Sequence, residues 1–207
     1  MNLDASGEDA PGDAAGGVLV IGYGNTLRSD DGVGWHVAAL LADDPRLAVD
    51  PPVAADVQFA ADSPLAANSR SGADLRLAGV EVLAVHQLTP ELAVDMSRAS
   101  LVILIDASVD DPPGAITVRP VTDDGDVTRG AAGPSSHHVG PGELLAVARV
   151  LYGHAPVALT VSVGIAHMGA GESLSPDVAA VLPAAADAVV DLVATHRRSR
   201  AARHPGA

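Results

Sequence analysis

Three features of this sequence predict an α/β protein, a three-layer sandwich whose twisted, mostly parallel sheet of five strands carries helices on both faces. Short continuous apolar runs, which read as strands buried on both sides, alternate with segments of helical spacing. The apolar residues are Val, Leu, Ile and Ala. Hydrophobic residues make up 48% of the chain and aromatics only 2%, the composition of a parallel sheet under Ala-rich helices. Finally, one Gly-rich stretch, Gly22 to Gly34, joins a strand to a helix and carries two carboxylates. In open α/β sheets that kind of corner holds ligands and chemistry. At 207 residues the chain suits one such domain.

Residues 1–16 are acidic and rich in Ala, Gly and Asp, and read as a disordered leader. They lack the basic start and apolar core of a signal peptide. The single domain is then expected over 17–195. Val18 to Tyr23 is the first predicted strand. A helix is predicted from Gly32 to Ala42, with Val33, Val37, Leu40 and Leu41 on one face and Asp30 or Asp31 near its N-cap. Residues 43–79 hold Pro51, Pro52, Pro64, Asn68 and Gly72 without sustained periodicity, and read as a long loop or insertion. Val80 to Val85 is the second predicted strand. Thr89-Pro90-Glu91 is a helix start, with Thr as N-cap and Pro at the first position. Leu101 to Ile105 is the third strand, expected to end at Asp106.

Asp110 to Gly114 reads as a turn, and Ala115 to Val121 as a fourth strand of antiparallel direction. A polar loop beginning at Thr122 delivers Ser135-Ser136-His137-His138. Pro141 opens a helix with Leu144, Leu145, Ala148 and Leu151 on one face and Gly153 at its end. Val157 to Val163 is the fifth strand, followed by a Gly-rich loop to Leu174. Ser175-Pro176-Asp177 caps a last helix, and residues 196–207 read as a flexible basic tail.

Several functions are excluded or disfavoured. A net charge of -14 repels nucleic-acid phosphates. The chain has no Lys, which excludes a P-loop, and no Cys, which excludes a thiolate metal site, a disulfide framework and a Cys nucleophile. The third glycine of a dinucleotide-binding loop falls on Leu27. Ser135 or Ser136 with His137 suggests a Ser-His-Asp triad, but no G-x-S-x-G elbow accompanies it. No apolar run reaches the ~18 residues of a spanning helix, so no membrane role is expected and the cytoplasm is the default compartment.

Chemistry is expected at the carboxyl ends of the first and third predicted strands. A 2-1-3 strand order sets them side by side, with their connections leaving to opposite faces. Asp31 and Asp106 then face one crevice, and His137, from a loop ahead of a helix, is placed to close the set. Two carboxylates and one imidazole suit a hard-to-borderline metal ion, or acid and base around a water. Each residue also has a plainer reading: Asp30 or Asp31 as a helix cap, Asp106 as a turn cap, His137 bonded within its own loop. His36 and His86 read as structural or exposed.

Gly24-Asn25-Thr26-Leu27-Arg28-Ser29-Asp30-Asp31-Gly32-Val33-Gly34 resembles the G-N-x-L-x-x-D-[DE]-x-x-G loop of the [NiFe]-hydrogenase maturation endopeptidases. In the same order follow His86-Gln87-Leu88-Thr89-Pro90-Glu91-Leu92, Ile105-Asp106-Ala107, Ser135-Ser136-His137-His138 and Gly171-Glu172-Ser173-Leu174-Ser175, each resembling a stretch of that family. The resemblance implies a phosphorylase/hydrolase-like sandwich and an enzyme that removes the C-terminal extension of a hydrogenase large-subunit precursor after nickel insertion. It implies that Asp31, Asp106 and His137, with His138 as rival, contact a nickel ion supplied by that precursor. It selects Asp31 over Asp30 as the ligand. Gly24, Asn25 and Gly32 are expected to give an approaching substrate backbone room. A monomer is the expected state. A non-catalytic maturation chaperone that recognises the nickel-loaded precursor, and a self-contained metallohydrolase, are the alternatives.

Overall fold

The structure, a computed structural model, describes residues 16–48, 58–59, 79–122 and 139–203. Among the described residues six strands form one sheet, in the order β2-β3-β1-β4-β6-β5. They are β1 (Val18–Tyr23), β2 (Gln58–Phe59), β3 (Val80–Val85), β4 (Leu101–Ser108), β5 (Ile116–Pro120) and β6 (Val157–Gly164). The helices are α1 (Val33–Ala42), α2 (Leu92–Arg98), α3 (Pro141–Tyr152) and α4 (Pro176–Arg203). The expected 2-1-3 order is observed as β3-β1-β4, all parallel, with Val18 paired to both Val80 and Leu101. Only β5 runs antiparallel, against β6. The five expected strands are joined by a sixth, the two-residue β2, within the 43–79 segment read as loop or insertion. A short 3-10 turn, Pro45–Leu47, also lies in that segment. Its residues 49–57 and 60–78, the leader residues 1–15, the loop 123–138 and the last four residues, 204–207, lie outside the described residues.

Alternation along each strand divides the core into two layers. Val18, Val20, Ile103, Ile105 and Val163 point to the α1 and α4 side, where Val33, Val37, Leu41, Val178 and Val189 meet them. Leu19, Ile21, Val102 and Leu104 point to the other side, against Met96, Leu144, Leu145 and Ala148 of α2 and α3. Both faces are therefore buried, which is why the strands read as continuous apolar runs. Leu151, expected on the buried face of α3, is instead exposed near the C-terminal end of that helix.

Two terminal assignments change. Thr89 and Pro90 form a preceding turn, and α2 begins only at Leu92. The basic tail expected from residue 196 instead continues α4 to Arg203. No Gly or Pro interrupts the sequence there before Pro205. Its side chains are also tied down: His196 Nε2 meets Ser100 Oγ at 2.9 Å, Arg197 donates to the Leu47 carbonyl at 3.0 Å, and Arg200 donates to Gly16 and Ser100. At 28 residues α4 is long and apolar enough to cross a membrane by length and composition, against the expectation that no apolar run reaches that length. Its Val178, Ala185, Val189 and Val193 face packs on the core.

Candidate functional site

The site is built where β1 and β4 end. A Cβ on Gly22 would collide with the Gly34 carbonyl, and one on Gly34 with the carbonyls of Ile105 and Tyr23. These two glycines let the first turn of α1 lie directly on the strands. That contact presses the 3-10 turn Ser29–Gly32 against β4. Gly24 has φ +137, a conformation that favours glycine, and its Cβ position is filled by the Asp31 carbonyl. The Cβ position of Gly32 lies 2.9 Å from Thr26 Cα. The room that Gly24 and Gly32 were expected to give a substrate is thus taken by the protein's own backbone. Asn25 is likewise occupied: its Oδ1 accepts from Leu27 N–H at 2.9 Å, and its N–H donates to Asp31 Oδ2 at 3.2 Å.

Neither Asp30 nor Asp31 caps α1; Gly32 holds that position and no side chain caps it. The two adjacent acids do different work. Asp31 is half-buried, its carboxylate steadied by the Asn25 N–H. Asp30 is fully buried. Its carboxylate accepts from Ser175 N–H at 2.6 Å, Ser175 Oγ at 2.9 Å, His167 N–H at 3.0 Å and Ala166 N–H at 3.2 Å. Burial alone would raise this carboxyl, but the bonds from Ser175, His167 and Ala166 outweigh it and hold Asp30 below the usual carboxylate range.

Asp106 is not the last residue of its strand, as expected, since β4 runs on to Ser108. It is the first residue of β4 beyond the Gly22–Ile105 pairing with β1, and it lies opposite Ser162 of β6. Ile105 and Ala107 point to the α1 and α4 layer, so Asp106 points to the α2 and α3 side. Tyr23, the last residue of β1, faces the same side and hydrogen-bonds to Asp106. Burial raises the Asp106 carboxyl to about 7, and the nearby charge of Asp31 adds to the rise. The bonds from Tyr23 and from Ala107 N–H, the latter at 2.7 Å, oppose it. Tyr23 is pushed well above its usual value, first by burial and then by Asp106.

The structure therefore brings Asp31 and Asp106 to the same end of the sheet, close enough for one charge to perturb the other. His137, its rival His138, and Ser135 and Ser136 lie outside the described residues. Among the described residues no group of three His, Asp or Glu side chains forms a metal site. His86 is exposed, and His36 is half-buried beside Trp35, with ring centroids 5.7 Å apart. Two features had no signal in the sequence: the Tyr23 contact with Asp106, and the loop 165–175 fastened to Asp30.

In open α/β sheets the carboxyl ends of neighbouring strands whose connections leave to opposite faces are where ligands bind. Among solved structures the fold is shared with hydrogenase maturation endopeptidases. The chain is similar to the hydrogenase maturating endopeptidase HybD from E. coli, at 20% identity and a TM-score of 0.61, over 86% of this chain and 93% of that one. It is similar to a hydrogenase 2 maturation peptidase from a Thaumarchaeota archaeon, at 24% identity and a TM-score of 0.52, over 86% and 97% of the two chains. It is also similar to the [NiFe] hydrogenase maturation protease HycI from Thermococcus kodakarensis, at 14% identity and a TM-score of 0.55, over 85% and 91%. No family model matches the chain, and no curated protein matches it by sequence. At these identities the likeness establishes the fold.

Proposed function

We propose that this protein is a hydrogenase maturation endopeptidase that removes the C-terminal extension of a [NiFe]-hydrogenase large-subunit precursor once nickel is in place. The observation that carries the reading is the meeting of Asp31 and Asp106 at the β1/β4 end, on a fold shared with such endopeptidases. The sequence motifs that resemble the family place these same two residues at its metal-contacting positions.

In this reading the nickel belongs to the substrate. Asp31 and Asp106 offer it oxygen donors and His137 a nitrogen donor, a mixture that suits a borderline divalent ion. The half-buried Asp31, steadied by Asn25, presents its carboxylate in a fixed direction. Asp106, raised to about 7, keeps its proton more readily than an ordinary carboxyl and gives it up when a cation arrives. Nickel held between these groups and the precursor fixes the scissile peptide, polarises its carbonyl or activates a water. The protein works in the cytoplasm, as a monomer, without an organic cofactor or nucleic acid.

The test is mass spectrometry of a nickel-loaded large-subunit precursor incubated with the purified protein. A precursor shortened at its C-terminus by wild type, and left whole by Asp31→Asn and Asp106→Asn, is the expected result. A precursor bound but never shortened would replace this reading with that of a non-catalytic chaperone. A stoichiometric metal in the purified protein, required for cleavage, would make it a self-contained metallohydrolase.

A further inference from the structure

We propose that Asp30 is the positioning residue of the site: by clamping the loop 165–175, its carboxylate fixes the direction of Asp31. The catalytic part of this inference rests on the function proposed above; the positioning part does not.

Asp30 and Asp31 are adjacent in a tight 3-10 turn, so the orientation of one side chain constrains the other. Asp30 points inward and collects four hydrogen bonds, three from backbone N–H groups and one from a hydroxyl, all from residues 166–175. The backbone around it is zipped to the same loop. Asp30 N–H donates to the His167 carbonyl at 3.2 Å, Ser29 N–H to Gly171 at 2.7 Å, and Gly171 N–H to Leu27 at 3.0 Å. Ser29 Oγ adds a bond to the Ser173 carbonyl at 2.8 Å. Ser29 itself has φ +54, unusual for a residue with a side chain, and is held there by these contacts. With the turn pinned on one side, Asp31 has one way to point: toward the Asn25 N–H and across to Asp106.

A carboxylate buried only to glue two loops together would contribute stability and nothing more. A positioning residue makes a further demand: its loss frees Asp31 before the domain unfolds. The bond from Asn25 N–H to Asp31 Oδ2 reports on this directly. In native-state hydrogen exchange, Asp30→Asn is expected to speed exchange at the Asn25 amide by about 30-fold. Val189→Ala, a core substitution in α4 remote from the turn, lowers global stability but leaves local opening at Asn25 unchanged within about threefold. Equal acceleration by the two variants overturns the proposal, as does no acceleration in Asp30→Asn. If Asp30→Asn does not fold, Ser175→Ala removes one of the four bonds and keeps the charge. It is expected to give a smaller acceleration, about fivefold, at Asn25, and no acceleration there counts against the proposal.

The second arm is precursor cleavage. Asp30→Asn is expected to lose at least about tenfold in kcat with KM within about threefold, while Val189→Ala keeps both. A wild-type protein that cleaves nothing refutes the proposed function, and the exchange experiment still decides the role of Asp30.

Discussion

Asp30, buried, and Asp106, partly buried, are acids at the same end of the sheet, and their surroundings push them in opposite directions. Asp30 has four donors aimed at its two oxygens and is held below the usual carboxylate range. Asp106 has the N–H of its own neighbour and the Tyr23 hydroxyl, faces the Asp31 charge, and rises to about 7. The difference teaches which acid is structural. A buried carboxylate whose acceptor capacity is filled is spent on the fold, whereas one left short of partners retains capacity for a ligand. Asp31 stands between them, tied to the first through the turn and to the second through its charge.

The largest effect should come from the underused pair. Asp31→Asn and Asp106→Asn are each expected to cut precursor cleavage by roughly 10³-fold, the loss of a group worth about 4 kcal/mol to the transition state. Circular dichroism should show both variants folded. If Asp30→Asn proved the most damaging of the three in cleavage while Asp31→Asn cleaved normally, the comparison would have to be reversed.

Next in size is the stability held by Asp30. Asp30→Ala strands the N–H groups of Ala166, His167 and Ser175 without their acceptor, at a cost on the order of 3 kcal/mol in urea unfolding at pH 7. The sign with pH follows from the lowered carboxyl. The contribution is present above the unfolded-state value near 4, and is lost as pH falls through the lower folded value. The gap between wild type and Asp30→Ala should therefore narrow below about pH 4. A gap that widened there would show that Asp30 is protonated in the native state.

Most of this arrangement was legible in sequence because it rests on local pattern. The parallel strands announced themselves as apolar runs buried on both faces, and the meeting of the first and third strand ends followed from strand order, while the choice of Asp31 over Asp30 came from the family resemblance. What stayed hidden was long-range. Nothing near Asp30 in sequence names Ala166, His167 or Ser175, more than 130 positions away, so Asp30 read as a helix cap. Ser175 stands at the head of α4 as expected, its carbonyl accepting from Ala179 N–H, but its hydroxyl donates to Asp30. The glycines carried the right emphasis with the wrong beneficiary, since free space at a glycine is invisible until its neighbours are placed. The helical continuation from His196 to Arg203 was masked because a basic run normally reads as solvated.

Asp106 should show the reverse of Asp30 in stability. Its folded value is raised, so the stability it contributes is complete below about pH 4 and is lost as pH climbs through about 7. Asp106→Asn, neutral at every pH, escapes that loss. It should be more stable to unfolding than wild type at pH 8, by roughly 2 kcal/mol given the partial exposure of the group, and the advantage should vanish by about pH 4. A variant less stable than wild type at pH 8 would mean that the ionised carboxylate is satisfied after all.

The smallest effect tests the one bond that tempers Asp106 from across the strand. Tyr23 donates to the ionised carboxylate, which favours ionisation, so Tyr23→Phe should move the Asp106 titration upward by less than about one unit. The carboxyl carbon of Asp106, followed by NMR through a pH series, reads this directly. The direction carries the information. An upward shift shows the hydroxyl bonding the charged form, so that β1 supplies Asp106 with a partner as well as with the turn that carries Asp31. A downward shift would mean that the hydroxyl favours the neutral carboxyl instead, by accepting a hydrogen bond from its proton.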